Sequence, residues 1–429
     1  MASIYLKWAM YQKSVLDNGL RIITSSMPGT HSVSIIFFLG AGSIYERAEE
    51  AGLSHFIEHL LFKGTQRRPT SKDISEAIEG VGGIFNGATS KELTIYWCKV
   101  ARPHFPLALD LIVDMLQHSK FDAKDIERER QIIIEELNES MDSPHYRVST
   151  LIDEVVWPDQ PLGRDVIGSK ESVTGLSRRM LMDYIGYQYV PSNVVVSVAG
   201  DISHDEVLSA VSGALSDWAG GIPKPPYPTD DSQQEPQLRV EQRDSEQAHL
   251  CLAIRGVPIL HPDRFNLDML NVILGEGMSC RLFLEIRERR GLTYDIYSYV
   301  EHFLDSGAIT VYAGVDPKNI DSTIQALLEQ LHLLKENIPE AELSKAKEYA
   351  KGRLLLRMED TRNVASWTGG QEILTRRIYT VDEAVSIIDA ITPEDLKRVA
   401  RQLLVSESLN LAVVGPITEG HSFYGLLKL

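Results

Sequence analysis

The most constraining stretch of this 429-residue chain is His55-Phe-Ile-Glu-His59, within "AGLSHFIEHLLFKGT". Histidines four apart on a helix lie one turn apart on the same face, so both imidazoles can reach one metal ion. Glu58 stands three residues after His55 and one before His59, which brings a carboxylate to that ion from the side. This HxxEH order is the reverse of HExxH, and both orders gather two imidazoles and a carboxylate around zinc. The pattern requires a helix here and a fold that delivers the remaining donors.

Two histidines need a third protein ligand, with the fourth position left to water. "DAKDIERERQIIIEELNESMD" reads as a helix starting near Asp122 and running to about Asn138, with Ile126, Ile133 and Leu137 as its core stripe. Glu129 and Glu136 lie seven apart on one face of it. A glutamate helix packed against the histidine helix is the natural donor, although such a charged face is more often simply solvated.

The surrounding elements follow from pattern and punctuation. "SVLDNGLRIITSSMPGTHSVSIIFFLG" predicts a β-hairpin with strands at Leu20–Ser25 and Ser32–Leu39. The histidine helix is expected over Ala51–Phe62 with Gly64 as its stop, and a second helix over Lys72–Glu79. "GGIFNGATSKELTIYWCKV" predicts two strands around Thr89–Glu92. Gly82, Gly83, Gly87 and Ala88 leave the first of these open to close backbone approach. Such an edge can pair with an extended peptide, or it can be an ordinary tight turn in a sheet.

Chain length calls for two or more domains of roughly 200 residues. "GGIPKPPYPTDDSQQEPQ" (220–237) reads as a linker between domains at 13–219 and 238–429, with residues 1–12 as an N-terminal extension. "PSNVVVSVAGDIS" and "SESLNLAVVGPIT", each preceded by a helical stretch, recur about half a chain apart, which argues for duplicated domains. The second copy lacks HxxEH; its "PDRFNLDMLNVILGEGMSCRLFLEIRE" carries Asn271 and Glu276 but no paired histidines, so only the first half is metal-competent.

A formal charge of −17 argues against nucleic acid as a partner and would favour basic substrates, although a solvated acidic surface is the commoner explanation of it. Three distant cysteines form no disulfide framework, as in a reducing compartment. No apolar run approaches the ~18 residues of a membrane span, and the first residues suit neither a secretion signal nor a transit peptide. The expectation is a cytoplasmic protein.

With these residues assembled, the chain resembles the pitrilysin and mitochondrial-processing-peptidase family, in its branch of short bacterial proteases. HxxEH followed 77 residues later by the glutamate of "ERERQIIIEE" carries the likeness, and similarity extends from about Lys13 to Gly415 through "IRERRGLTY" and "KGRLLLRMEDTRNVASWTGGQEILTRR". The resemblance implies an α+β fold of two duplicated domains, each a mostly antiparallel sheet packed with helices. It implies one Zn2+ per chain held by His55, His59 and Glu136, Glu58 as general base and Glu129 as an outer support. Glu135 is adjacent, and register decides between it and Glu136; the spacing from Glu129 favours Glu136. Asn86 and Ala88 fall on the family's substrate-pairing strand, and Arg287 and Tyr294 on its substrate-anchoring pair.

The function so implied is a zinc endopeptidase cutting peptides or unfolded segments inside a chamber. That chamber needs four such domains, hence a homodimer or a heterodimer with a related chain. The rival readings are a non-catalytic assembly or substrate-binding subunit of the same family, and a zinc hydrolase acting on a small molecule.

Overall fold

Val194–Gly200 is buried at every position, so it must lie inside a sheet covered on both faces. The computed structural model, which describes residues 11–417 and 421–429, places it so. The extension expected over 1–12 lies outside the described residues except for Tyr11 and Gln12, which begin the first strand.

By internal contacts the chain forms two units. One comprises the chain up to Leu137, Asp165–Tyr227 and Leu354–Glu383; the other comprises Asn138–Arg164, Pro228–Arg353 and Ala384 onward. The first unit holds β1 (Tyr11–Val15), β2 (Arg21–Ser26), β3 (Ser32–Leu39), β4 (Ile84–Thr89), β5 (Thr94–Ala101) and β6 (Val194–Gly200), in the order β1-β2-β6-β3-β5-β4. Only β2 and β6 run parallel; the other neighbours are antiparallel.

The second unit holds β7 (Gln237–Gln242), β8 (Ala248–Arg255), β9 (Thr293–His302), β10 (Gly307–Val315) and β11 (Leu409–Gly415), in the order β7-β11-β8-β10-β9. Here β7 and β11 are the parallel pair. The order repeats that of the first sheet from β2 to β4, strand for strand. The α+β architecture of two duplicated domains is therefore as the sequence implied. The recurring segments supply β6 and β11, which hold equivalent positions in the two sheets.

Strands β2 and β3 lie where the sequence placed them, but they are not a hairpin. β6 sits between them, parallel to β2 and antiparallel to β3. Its all-apolar run is stable only where both flanks and both faces are covered, so it takes the slot that local turn chemistry assigned to a hairpin. The hairpin that does form joins β1 to β2 through Asp17-Asn18-Gly19, with Gly19 at φ 90°.

Helix exchange completes both units. After β5 come helices Phe105–His118, Ala123–Asp142 and Pro144–Val156; after β10 come Ile320–Glu336, Glu340–Arg357 and Thr361–Thr375. In each series the third helix covers the other sheet: Pro144–Val156 packs on β11, β8 and β7, and Thr361–Thr375 on β3, β6 and β2. Ser34 and Thr361 hydroxyls meet at 2.8 Å, and Ser197 and Thr368 at 3.0 Å. Among the described residues no helix is long and apolar enough to cross a membrane.

Gly369 lets the exchanged helix lie on β3, since a Cβ there would come 2.3 Å from Phe38 Cε2. Gly369→Ala is expected to destabilise the first unit by about 1–3 kcal/mol, read as a lower midpoint of denaturant unfolding.

Candidate metal centre

Helix Leu53–Leu61 buries Leu53, Ser54, Phe56, Ile57, Leu60 and Leu61, and His55 with them, while Glu58 and His59 are half-buried. Gly52 enters it at φ 91°, where a Cβ would strike the Ile167 carbonyl. The orphan amides of the first turn are satisfied from a distance. Gly52 and Ser54 N–H donate to the fully buried Glu46 carboxylate at 2.9 and 2.6 Å, a negative charge at the positive end of the helix.

His55, His59 and Glu136 offer donor atoms all within 4.8 Å of one another. Glu136 Oε1 lies 3.9 Å from His55 Nε2, and its Oε2 lies 3.5 Å from His59 Nε2. Donors around a tetrahedral zinc stand about 3.3 Å apart, so the set fits that ion after a small contraction. Burial, with His59 adding to it, pulls the His55 pKa down to about 3, so its imidazole is neutral and keeps a lone pair for a metal. Glu135, one residue away, faces solvent.

Glu129 is 1% exposed and lies on the same helical face as Glu136. Burial works to raise its pKa, but bonds from His59 and Lys63 outweigh it and hold the carboxyl below its ordinary range. Its Oε2 is 3.4 Å from His59 Nδ1 and 2.9 Å from Lys63 Nζ. With the proton on Nδ1, His59 directs Nε2 toward Glu136. Among the described residues His55 has no such support; its Nδ1 is buried without a hydrogen-bond partner there.

Arg130, next on the glutamate helix, donates to the Val173, Thr174 and Leu176 carbonyls and lies 5.4 Å over the Phe56 ring of the histidine helix. It thereby fixes the rotation of one helix against the other.

Glu58 points toward β4. Thr89 Oγ1 donates to its Oε2 at 2.7 Å, and burial raises its pKa, with the Thr89 bond partly opposing. Gly87 permits this approach, because a Cβ there would lie 2.9 Å from Glu58 Cγ and 3.0 Å from Phe62 Cε2. Among the described residues β4 pairs only with β5, which leaves its other edge without a strand partner there. Phe85, Gly87 and Thr89 face the histidine helix, while Ile84, Asn86 and Ala88 face away and are exposed.

Arg287 and Tyr294 lie together in the second unit. The guanidinium sits 4.5 Å from the Tyr294 ring centre and 4.7 Å from that of Phe283, at the end of the wide-pitched turn Phe283–Arg289. Tyr294 is 76% exposed.

Residues 21–170 match the insulinase domain of peptidase family M16, and residues 175–349 match the peptidase M16 inactive domain. An uncharacterized zinc protease of Bacillus subtilis is 34% identical over 95% of this chain and 98% of its own. One from Mycobacterium tuberculosis is 35% identical over 94% and 93%. The chain belongs to peptidase family M16. The fold is shared with a protease from Helicobacter pylori, at 21% identity, a TM-score of 0.91 and coverage of 95% of this chain and 99% of that one. A peptidase M16 inactive domain from Pseudomonas fluorescens aligns with a TM-score of 0.88 at 18% identity, covering 95% and 98%.

Within this M16 chain, sequence reasoning passed over Lys63, Glu46, Arg130 and the role of Thr89. Lys63 alone is close in sequence, four residues after His59 and just past the end of the helix. The others act across distances that only folding closes. Glu129→Gln is expected to weaken zinc binding about 10–100-fold, measured by competition with a chromophoric chelator.

Proposed function

We propose that this chain is a zinc-dependent endopeptidase hydrolysing peptides or unfolded segments, with Glu58 as general base. The observation that carries the reading is the convergence of His55, His59 and Glu136 beside a half-buried Glu58, beneath a strand edge that has no partner among the described residues. The names of its relatives as zinc proteases support it.

A zinc ion held by His55, His59 and Glu136 would polarise the scissile carbonyl and acidify a water at its open position. Glu58 takes the proton of the attacking water and returns it to the leaving amine. Thr89 holds Glu58 Oε2, which aims the carboxylate and leaves Oε1 for proton transfer. The backbone at Asn86 and Ala88 pairs with the substrate as an added strand, which places every second side chain on the metal side. Arg287 and Tyr294 donate to substrate carbonyls. The reading extends to two chains enclosing a chamber, with a related chain as the alternative second member.

The complete donor set speaks against a non-catalytic subunit, and the strand edge against a small-molecule substrate. Glu58→Gln is expected to keep its zinc while peptide hydrolysis falls about 10²–10⁴-fold. Undiminished cleavage of an unfolded peptide by that variant would remove Glu58 as the base. The purified protein is further expected to carry one zinc per chain at twice the mass of a single chain. A metal-free monomer would favour the binding-subunit reading.

A further inference from the structure

We propose that Arg362 is a specificity-determining residue, selecting peptides that carry an acidic side chain on the face of the added strand turned away from the metal. The proposal rests on the reading of β4 as the peptide-pairing edge and says which peptides that edge prefers.

The face of the first sheet opposite the histidine helix is covered only in part. Helix Thr361–Thr375 lies over β3, β6 and β2, and its covering stops short of β4, where Ile84 is 56% exposed and Asn86 and Ala88 are also open. The start of that helix forms the margin of the open strip. Thr361 is bonded to Ser32 and Ser34 of β3, and Asp360 pairs with Lys99 of β5. Arg362 lies over the indole of Trp97, its guanidinium carbon 3.7 Å from the ring centre. Trp97 is the register partner of Asn86, and Lys99 that of Ile84, so this group stands level with the middle of β4.

Charge sorts these groups. Lys99 is spent on Asp360. Among the described residues the exposed Arg362 guanidinium meets no carboxylate and no hydrogen-bond acceptor; its contact is the ring face, which leaves its N–H edge unused. Arg67, Arg68 and Arg102 of the same unit are each held by an acid, as Arg362 is not.

A strand added to β4 would lie about 4.8 Å beyond it and about 10 Å from β5. Its outward side chains point over the same face as Asn86, at the level of Trp97. An extended glutamate and an arginine raised on an indole together span that distance, and their charge-assisted bond is the strongest interaction open to that face. The side chains turned the other way meet Gly87 and Thr89 and feel none of it. The preference therefore alternates along the peptide and opposes the long-range pull of an acidic protein on basic substrates.

The test uses the zinc-loaded full chain and one unfolded peptide made with Glu, Gln or Lys at each successive position around its cleavage site. The expected result is a Glu-over-Lys preference of about fivefold to tenfold in kcat/KM at positions of one alternating set. In Arg362→Glu the preference at those positions reverses to Lys over Glu, with zinc content and cleavage site unchanged; in Arg362→Gln it disappears. A preference that survives Arg362→Glu in a folded, zinc-loaded enzyme overturns the role of Arg362 and leaves the peptidase reading standing. Failure of the zinc-loaded native chain to cut any of the peptides overturns the peptidase reading itself. A preference present equally at both alternating sets rejects strand pairing on β4 as its cause.

Discussion

A charge buried as deeply as Glu129 persists only if donors hold it, because an isolated carboxylate out of water would instead take up a proton. Here His59, on the histidine helix, and Lys63, just past its end, hold it, while Glu129 lies on the glutamate helix. That pairing sets the register between two helices more than sixty residues apart in sequence. Once the register is set, Glu136 falls opposite His55 and His59, because seven residues along a helix return to the same face. Arg130 locks the same arrangement from behind by bonding a third segment's carbonyls and covering Phe56. The candidate metal centre is thus the exposed outcome of a buried ion pair.

The setting of Glu58 depends equally on an absence. Gly87 has no side chain, so the histidine helix can bring Glu58 against β4, and Thr89 from the same strand can hold it. A strand with a glycine at its closest approach to the helix, and no strand partner at its outer edge among the described residues, is a poor structural strand but a good template for another chain. The same economy appears in the duplicated second unit, whose sheet repeats the order of the first while the counterpart helix, Arg264–Gly275, carries Asn271 in a network with Glu276 and Ser298 instead of metal donors. The two sheets share a scaffold, and among the described residues only the first unit gathers donors that could hold an ion.

Much of this was legible in sequence where the information is local. The histidine helix, the glutamate helix and β4 with β5 all appear within a few residues of their predicted limits, since each has a strong period and its own stop signals. Glu136 could be separated from Glu135 by its spacing from Glu129, and the two residues do face differently. The hairpin expected between β2 and β3 failed because turn residues report only on nearest neighbours, whereas β6 arrives from more than 150 residues away to occupy the gap. The exchange of Pro144–Val156 and Thr361–Thr375 between units has no sequence mark, as an amphipathic helix does not declare which sheet it will cover.

The amino-acid order by itself determined which donors this chain possesses, their spacing on single helices, and the duplication that limits them to one half. These are consequences of helical and strand periodicity, which act over a few residues. Tertiary structure alone decided that Glu129 is buried and paired, that Thr89 reaches Glu58, that Glu46 caps the histidine helix, and that Arg362 stands unpaired on Trp97 beside β4. Each of those depends on burial and on contacts across long stretches of chain, and burial sets the strength of a charge as much as its identity does. The chemistry available was written locally; its placement and polarity came from packing.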